Sequence, residues 1–223
     1  ISIEPKALDK EISFILENAG KYMTKTPKKS DIKSVFTGLR PLAADEVDNN
    51  ETSEISRGHK IILSESGMIS ILGGKWTTYR KMSEDVINSA LSVGGFPERA
   101  CITHNLPING YDYNSDWKDP MHVYGTEIDK IKSIDESNFS KSISKEFFIT
   151  KNMIIWSIRN EMSMKLEDIL ARRTRCLFLD VNETLKIAPK VSEIMAKEMN
   201  KNKEWVNTEL KNFIKLALKY KKI

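Results

Sequence analysis

A chain of 223 residues, 40% hydrophobic and 30% charged, carries enough apolar material for a buried core and too much for a disordered segment. Its net charge of +4, with acids and bases interspersed, lacks the concentrated basic face that nucleic-acid binding requires. No apolar run approaches the ~20 residues of a membrane helix, and the first residues show neither the basic start nor the apolar stretch of a signal peptide. Two distant cysteines point to a reducing, cytoplasmic setting, and with three unclustered histidines they offer no metal-ligand spacing, so no metal site is expected. The lysine-rich tail reads as a solvated helix end, with peripheral contact at the inner face of the cytoplasmic membrane as the alternative. A first residue other than Met hints at a piece of a longer protein.

Two textures divide the chain. Residues 1–100 mix helix and strand, 101–120 lie in a connector rich in Pro, Asn, Gly and Asp, and 121–223 read as helical. The first predicted helix covers 9–23, with Ile12, Ile15, Leu16, Ala19 and Tyr22 on one buried face. A strand over 34–39 is stopped by Pro41, and a loop over 44–54 with five acidic residues follows. Strands over 55–63 and 68–72 flank a tight turn at 64–67; the second, nearly all apolar, is expected to lie centrally in a sheet. After Gly73-Gly74 a helix begins, with Tyr79, Met82, Val86, Ile87, Ala90 and Leu91 as its stripe and Gly94-Gly95 as its stop.

The second half predicts a small bundle. Its first helix spans 152–165 with Ile154, Ile155, Ile158 and Met162 on one face, and a second over 166–178 is dense in arginine. A third covers 184–199, where Pro189 predicts a kink or a later start. The last spans 203–220, striped by Val206, Leu210, Phe213, Ile214 and Ala217.

The chemistry concentrates around Gly73-Gly74-Lys75-Trp76-Thr77-Thr78. A strand end, two glycines and a helix start present backbone N–H groups and a positive dipole end to an anion or an electron-rich oxygen, and Lys75 adds a charge. The segment has neither P-loop spacing nor a G-x-G-x-x-G fingerprint, and it also reads as a plain strand-to-helix turn capped by threonine. Arg40, held stiff by the proline after it, and Arg57 lie near other strand ends. With Lys75 they form either a three-cation clamp for a small dianion or three unrelated surface charges.

Thr37-Gly38-Leu39-Arg40-Pro41-Leu42, Ser56-Arg57-Gly58-His59 and Gly73 to Arg80 stand in the order and approximate spacing of the FAD-dependent glycerol-3-phosphate dehydrogenases, close relatives of α-glycerophosphate oxidase. Trp156 to Met162, Leu166 to Arg175, Ala188-Pro189-Lys190-Val191 and Ile194-Met195-Ala196 resemble that family's helical C-terminal domain. The resemblance covers nearly the whole chain and is weakest over 103–148 and in the tail. Gly58 follows Arg57 where the family often has Asp, and the family's ADP-binding glycines and first-half active-site residues have no counterpart.

The resemblance implies an α+β fold: the C-terminal part of an FAD/substrate-binding domain, with antiparallel strands and helices, then an all-α domain. It implies oxidation of sn-glycerol 3-phosphate to dihydroxyacetone phosphate by hydride transfer from C2 to FAD, with quinone or oxygen as final acceptor. Arg40 and Arg57 would hold substrate, and Lys75 would stand beside the reacting oxygen or the flavin's reactive edge. Gly73, Gly74, Lys75, Trp76 and Thr77 would contact the flavin, and the helix beginning near Thr77 would aim its N-terminus at the flavin pyrimidine. As an isolated piece the chain is expected to be inactive, to hold no FAD, and to expose a sheet edge that invites dimerisation. The competing reading is a helical interaction module that docks a partner or membrane, marked by a large exposed apolar patch on the helical half.

Overall fold

The computed structural model describes residues 2–39 and 58–221. By packing, the chain falls into two units: Ile1–Gly38 together with Gly110–Ile223, and Leu39–Asn109.

The first unit is built on helices. α1 (Asp9–Gly20) opens with Glu11, whose carboxylate accepts the Leu8 N–H at 2.7 Å. Its expected apolar face exists but is uncovered: none of its residues is fully buried, and Ile15 is 63% exposed. The helix also ends before Tyr22, which is 90% exposed.

The predicted strand over 34–39 is extended but forms no ladder among the described residues. Its polar groups are committed to helix ends instead. The Lys33 carbonyl accepts the Val181 N–H at 3.3 Å, the Ser34 hydroxyl donates to the Leu177 carbonyl at 2.6 Å, and the Val35 N–H donates to the Tyr220 carbonyl at 2.8 Å. Phe36 meets the Phe178 ring edge-on, with centroids 4.9 Å apart. This stretch thus strings the N-terminal part along the helical unit.

After a 3₁₀ segment, His122–Glu127, come α3 (Ile128–Lys132) and α4 (Lys151–Asn160). Thr150 caps α4 by accepting the Met153 N–H, and buried Asn152 donates its amide to the carbonyls of Ile131 and Lys132 at the end of α3 and of Asp135 just beyond it. α4 ends earlier than its periodicity predicts. Met162 takes a left-handed φ of 57°, turns the chain, and stands 83% exposed instead of joining the stripe.

The single helix expected over 166–178 is broken. A π-helical turn, Asp168–Arg173, is separated from α5 (Cys176–Leu179) by Arg175 at φ 59°. Asp168 accepts the N–H groups of Met164 and Lys165 and pairs with Arg172 at 2.8 Å. Arg173 reaches Glu161 at 3.6 Å, and Arg159 makes a two-pronged contact with Glu198, so these charges brace one segment against another.

α6 (Val181–Glu198) starts earlier than expected and continues through Pro189. Asp180 supplies the reason for the start, accepting the N–H groups of Asn182 and Glu183 at 3.0 and 3.1 Å. α7 (Lys203–Ala217) is capped by Asn202, which accepts the Trp205 N–H at 2.9 Å. The core lies among α4 to α7: Ile154, Leu166, Leu170, Leu177, Val191, Met195 and Phe213 are buried together. A smaller cluster forms around Met121, Ile131 and Met153.

In the second unit β1 (His59–Leu63) and β2 (Ile69–Gly73) make the expected antiparallel hairpin, with Ile61 opposite Ile71 and His59 opposite Gly73. The turn closes through Gly67 N–H to the Ser64 carbonyl, with Gly67 at φ 81°. Among the described residues the sheet has these two strands, so β2 is not flanked on both sides as its apolar run predicts. A 3₁₀ turn, Trp76–Thr78, leads into α2 (Tyr79–Val93), which stops at Gly94-Gly95.

Candidate functional site

The second unit contains the strand-to-helix turn singled out from sequence. β2 ends on Gly73 at φ 71°, and Gly74 follows at φ 96°. Both values lie in the region where a side chain is strained. A Cβ on Gly74 would also collide with the end of Met82 on α2, so the glycine lets the helix fold back closely on the hairpin. The Gly74 N–H donates to the Gly58 carbonyl at 3.1 Å, so the residue after Arg57 meets the glycine pair. Arg57 and Arg40 themselves lie outside the described residues.

Lys75, in extended conformation, precedes the 3₁₀ turn. It is exposed, and its ammonium has no ion-pair partner among the described residues. Trp76 is 88% exposed and stacks obliquely on Tyr79, with centroids 5.8 Å apart. Thr77 is also exposed. The Thr78 hydroxyl donates back to the Lys75 carbonyl at 3.1 Å, so α2 begins without a side-chain cap. Threonine capping, the plain structural reading of this turn, is therefore not made. Gly73, Gly74, Lys75, Trp76 and Thr77 together form an open strand-to-helix corner with a cation and an exposed ring. Such a corner suits an electron-rich planar group approached through backbone.

Behind the corner, α2 carries an ionic network that sequence reading passed over. Arg80 pairs with Glu84 at 2.6 Å and reaches the Thr103 hydroxyl at 3.3 Å. Lys81 pairs with Asp85 at 2.7 Å, and Asp85 also meets His59 Nε2 at 3.0 Å. The Arg80 guanidinium holds the Glu84 carboxyl below its ordinary pKa, and the Lys81 ammonium, with His59, does the same for Asp85. The i,i+4 spacing of 80/84 and 81/85 is the signal that could have revealed it. Glu84, Cys101 and His104 bring their ligand atoms within 4.8 Å of one another, a donor set for a zinc-like ion. Arg80 already engages Glu84 there, so a resident guanidinium neutralises the carboxylate a metal would need. The network ties β1, α2 and the 101–104 segment together, and so stiffens the helix that starts at the corner.

Residues 68–206 match the family model of the C-terminal domain of α-glycerophosphate oxidase. A Dictyostelium discoideum protein bearing the name of a mitochondrial glycerol-3-phosphate dehydrogenase is 34% identical over 233 aligned residues, covering 93% of this chain and 36% of its own length. The human mitochondrial glycerol-3-phosphate dehydrogenase is 29% identical, covering 99% of this chain and 34% of its own. The chain thus spans about a third of the curated relatives it matches. Among solved structures, a Bacillus halodurans glycerol-3-phosphate dehydrogenase complexed with FAD shares the fold over 97% of this chain and 46% of its own, with a TM-score of 0.71 and 21% identity.

Proposed function

The chain belongs to the family of FAD-dependent glycerol-3-phosphate dehydrogenases and α-glycerophosphate oxidase, and from that premise we propose that it forms the C-terminal portion of a flavoprotein that oxidises sn-glycerol 3-phosphate to dihydroxyacetone phosphate. The observation that carries the reading is the corner at Gly73-Gly74-Lys75, where two left-handed glycines bring backbone close and an exposed lysine without an ion-pair partner among the described residues stands at the helix start. When bound, FAD supplies the acceptor for the hydride leaving substrate C2.

The chain's own residues do the positioning. Arg40 and Arg57 hold the substrate phosphate and one of its oxygens through forked, charge-assisted hydrogen bonds, which fixes C2 in a single orientation. The Lys75 ammonium faces the C2 oxygen and stabilises negative charge developing there as the hydroxyl proton departs. The backbone of Gly73, Gly74 and Thr77, with the Trp76 ring, lines the flavin's side of the site. The uncapped start of α2 contributes its positive end to that surface, an arrangement that favours an electron-rich ring. Alone, the chain is inactive; electrons pass onward to a quinone or to oxygen, and the location is cytoplasmic or at the inner membrane face. Self-association through the exposed hairpin edge is a separate consequence, readable as a concentration-dependent mass.

The test is glycerol-3-phosphate oxidation by the longer flavoprotein with an artificial dye acceptor. Arg40→Ala, Arg57→Ala and Lys75→Ala each remove a charge-assisted contact of about 1.5–3 kcal/mol. Each is expected to lower kcat/KM by roughly 10- to 100-fold with flavin absorbance kept. Variants that turn over normally would make these cations ordinary surface charges.

A further inference from the structure

Behind the glycine corner, within the Leu39–Asn109 unit, a thiol, an imidazole and a carboxylate converge. Cys101-Ile102-Thr103-His104 sets the first two of these three residues apart, close to the short two-ligand arms of zinc sites. α2 brings Glu84 to the same place, and the ligand atoms of all three lie within 4.8 Å of one another. His104 Nε2 already stands 3.8 Å from Glu84 Oε2. Zinc bonds of about 2.0–2.3 Å in a tetrahedral shell put ligand atoms roughly 3.4–3.6 Å apart, so closing by about 1 Å completes the geometry.

The centre of this cluster is marked by a positive nitrogen. Arg80 Nη1 donates to Glu84 Oε2 at 2.6 Å and reaches Thr103 Oγ1 at 3.3 Å and Cys101 Sγ at 3.8 Å. It carries two hydrogens and faces three acceptors, so it cannot satisfy all of them. It also offers nothing to an imidazole lone pair, whereas a zinc-like ion bonds carboxylate, imidazole and thiolate together. We propose that Glu84, Cys101 and His104 bind a zinc-like divalent cation with water in the fourth position, and that Arg80 holds the cation's place until it arrives. As the metal–sulfur bond forms, the Cys101 thiol gives its proton to solvent. Thiolate and carboxylate then balance the two charges of the ion, and Arg80 is released from Glu84. The Arg80 side chain is 29% exposed among the described residues, so water receives it. Magnesium and calcium, which take oxygen ligands, gain nothing from the thiol and do not displace the guanidinium. The bound ion fastens the 101–104 segment to α2. The proposal revises the expectation of no metal site, which rested on the spacing of Cys and His alone, because the third ligand is a carboxylate on a helix. It stands independently of the flavin reading.

The experiment titrates cobalt(II), a spectroscopic stand-in for zinc, into the reduced, metal-free chain. A thiolate-to-cobalt charge-transfer band with tetrahedral d–d bands is expected, saturating at one equivalent and abolished by zinc but not by magnesium or calcium. Cys101→Ser is expected to remove the charge-transfer band, and Glu84→Gln and His104→Ala to weaken binding by at least about 10-fold. His122→Ala, in the other unit, should bind as the unaltered chain does. The unaltered chain also gives a test that needs no variant. Zinc should slow alkylation of Cys101 by iodoacetamide at least about 10-fold, read by peptide mass spectrometry, and leave Cys176 unaffected. A charge-transfer band that survives Cys101→Ser overturns the proposal, as does an octahedral cobalt spectrum without that band. Equal loss of binding in His122→Ala, or a Cys101 alkylated at the same rate with and without zinc, overturns it too.

Discussion

Asp180 shows how much one side chain can do in this fold. It accepts two N–H groups at the start of α6 and pairs with Lys33 at 3.2 Å. Burial works against its ionisation, but the Glu183 N–H, the Lys33 ammonium and the Asn182 N–H together outweigh that and keep its pKa below the ordinary value. Because the folded pKa lies below the unfolded one, the unfolded chain takes up a proton that the folded chain refuses. The contribution is therefore complete above about pH 4 and disappears as pH falls through the folded value. Asp180→Ala is expected to cost about 1 kcal/mol at neutral pH, the usual loss for an N-cap. Asp180→Asn should keep the cap at neutral pH and flatten the loss of stability as pH falls below about 4. Urea midpoints of the three proteins at pH 7, 4 and 3 check both statements. Asp180 was readable as a cap only after α6 was known to begin at Val181. Lys75 was readable at once, because a charge directly after two glycines needs no tertiary knowledge.

At the scale of elements, periodicity identified the helices and the hairpin but misjudged several ends. A stripe says where a helix can lie, whereas its limits depend on single residues at unusual backbone angles or on caps. Met162 and Arg175, both left-handed, cut two predicted helices, and nothing in their residue types announces it. Asp180 pulled α6 forward across a region where Pro189 had suggested a later start. The segment over 34–39 has strand chemistry, but its hydrogen bonds go to helix ends. Gly74 offers the sharpest test at this scale. Gly74→Ala meets both a positive φ and the Met82 side chain, so about 1–3 kcal/mol of strain is expected. Faster amide exchange in β2 and the first turn of α2, with α4 to α7 unaffected, is the expected readout.

For the whole molecule the contrast is between a buried core and helices that stay exposed among the described residues. The buried apolar residues of the described chain lie in 121–217, and neither α1 nor α2 buries a residue fully. Large-to-small substitutions should register accordingly. Ile154→Ala, at a fully buried position, is expected to lower stability by 2–5 kcal/mol. Ile87→Ala, at a position 57% exposed on α2, should stay within about 0.5 kcal/mol. Denaturation followed by far-ultraviolet circular dichroism distinguishes them. Equal effects would mean that α2 is covered in solution by a partner surface.

The residues alone determined the α+β character, the helical second half, the hairpin, the glycine corner with Lys75 and the family, because each rests on local spacing or on a short run of side chains. Tertiary structure alone decided that residues 1–38 pack with the helical part, that 34–39 is not a strand among the described residues, and that Arg80, Glu84, Asp85 and His59 form one network. It also decided that the face of α1 is uncovered among the described residues. The physical reason is common to all of these. Whether a strand pairs, an apolar face is covered or a charge finds a partner depends on groups far away in sequence, and hydrophobic periodicity records only the capacity for burial, not the surface that fulfils it.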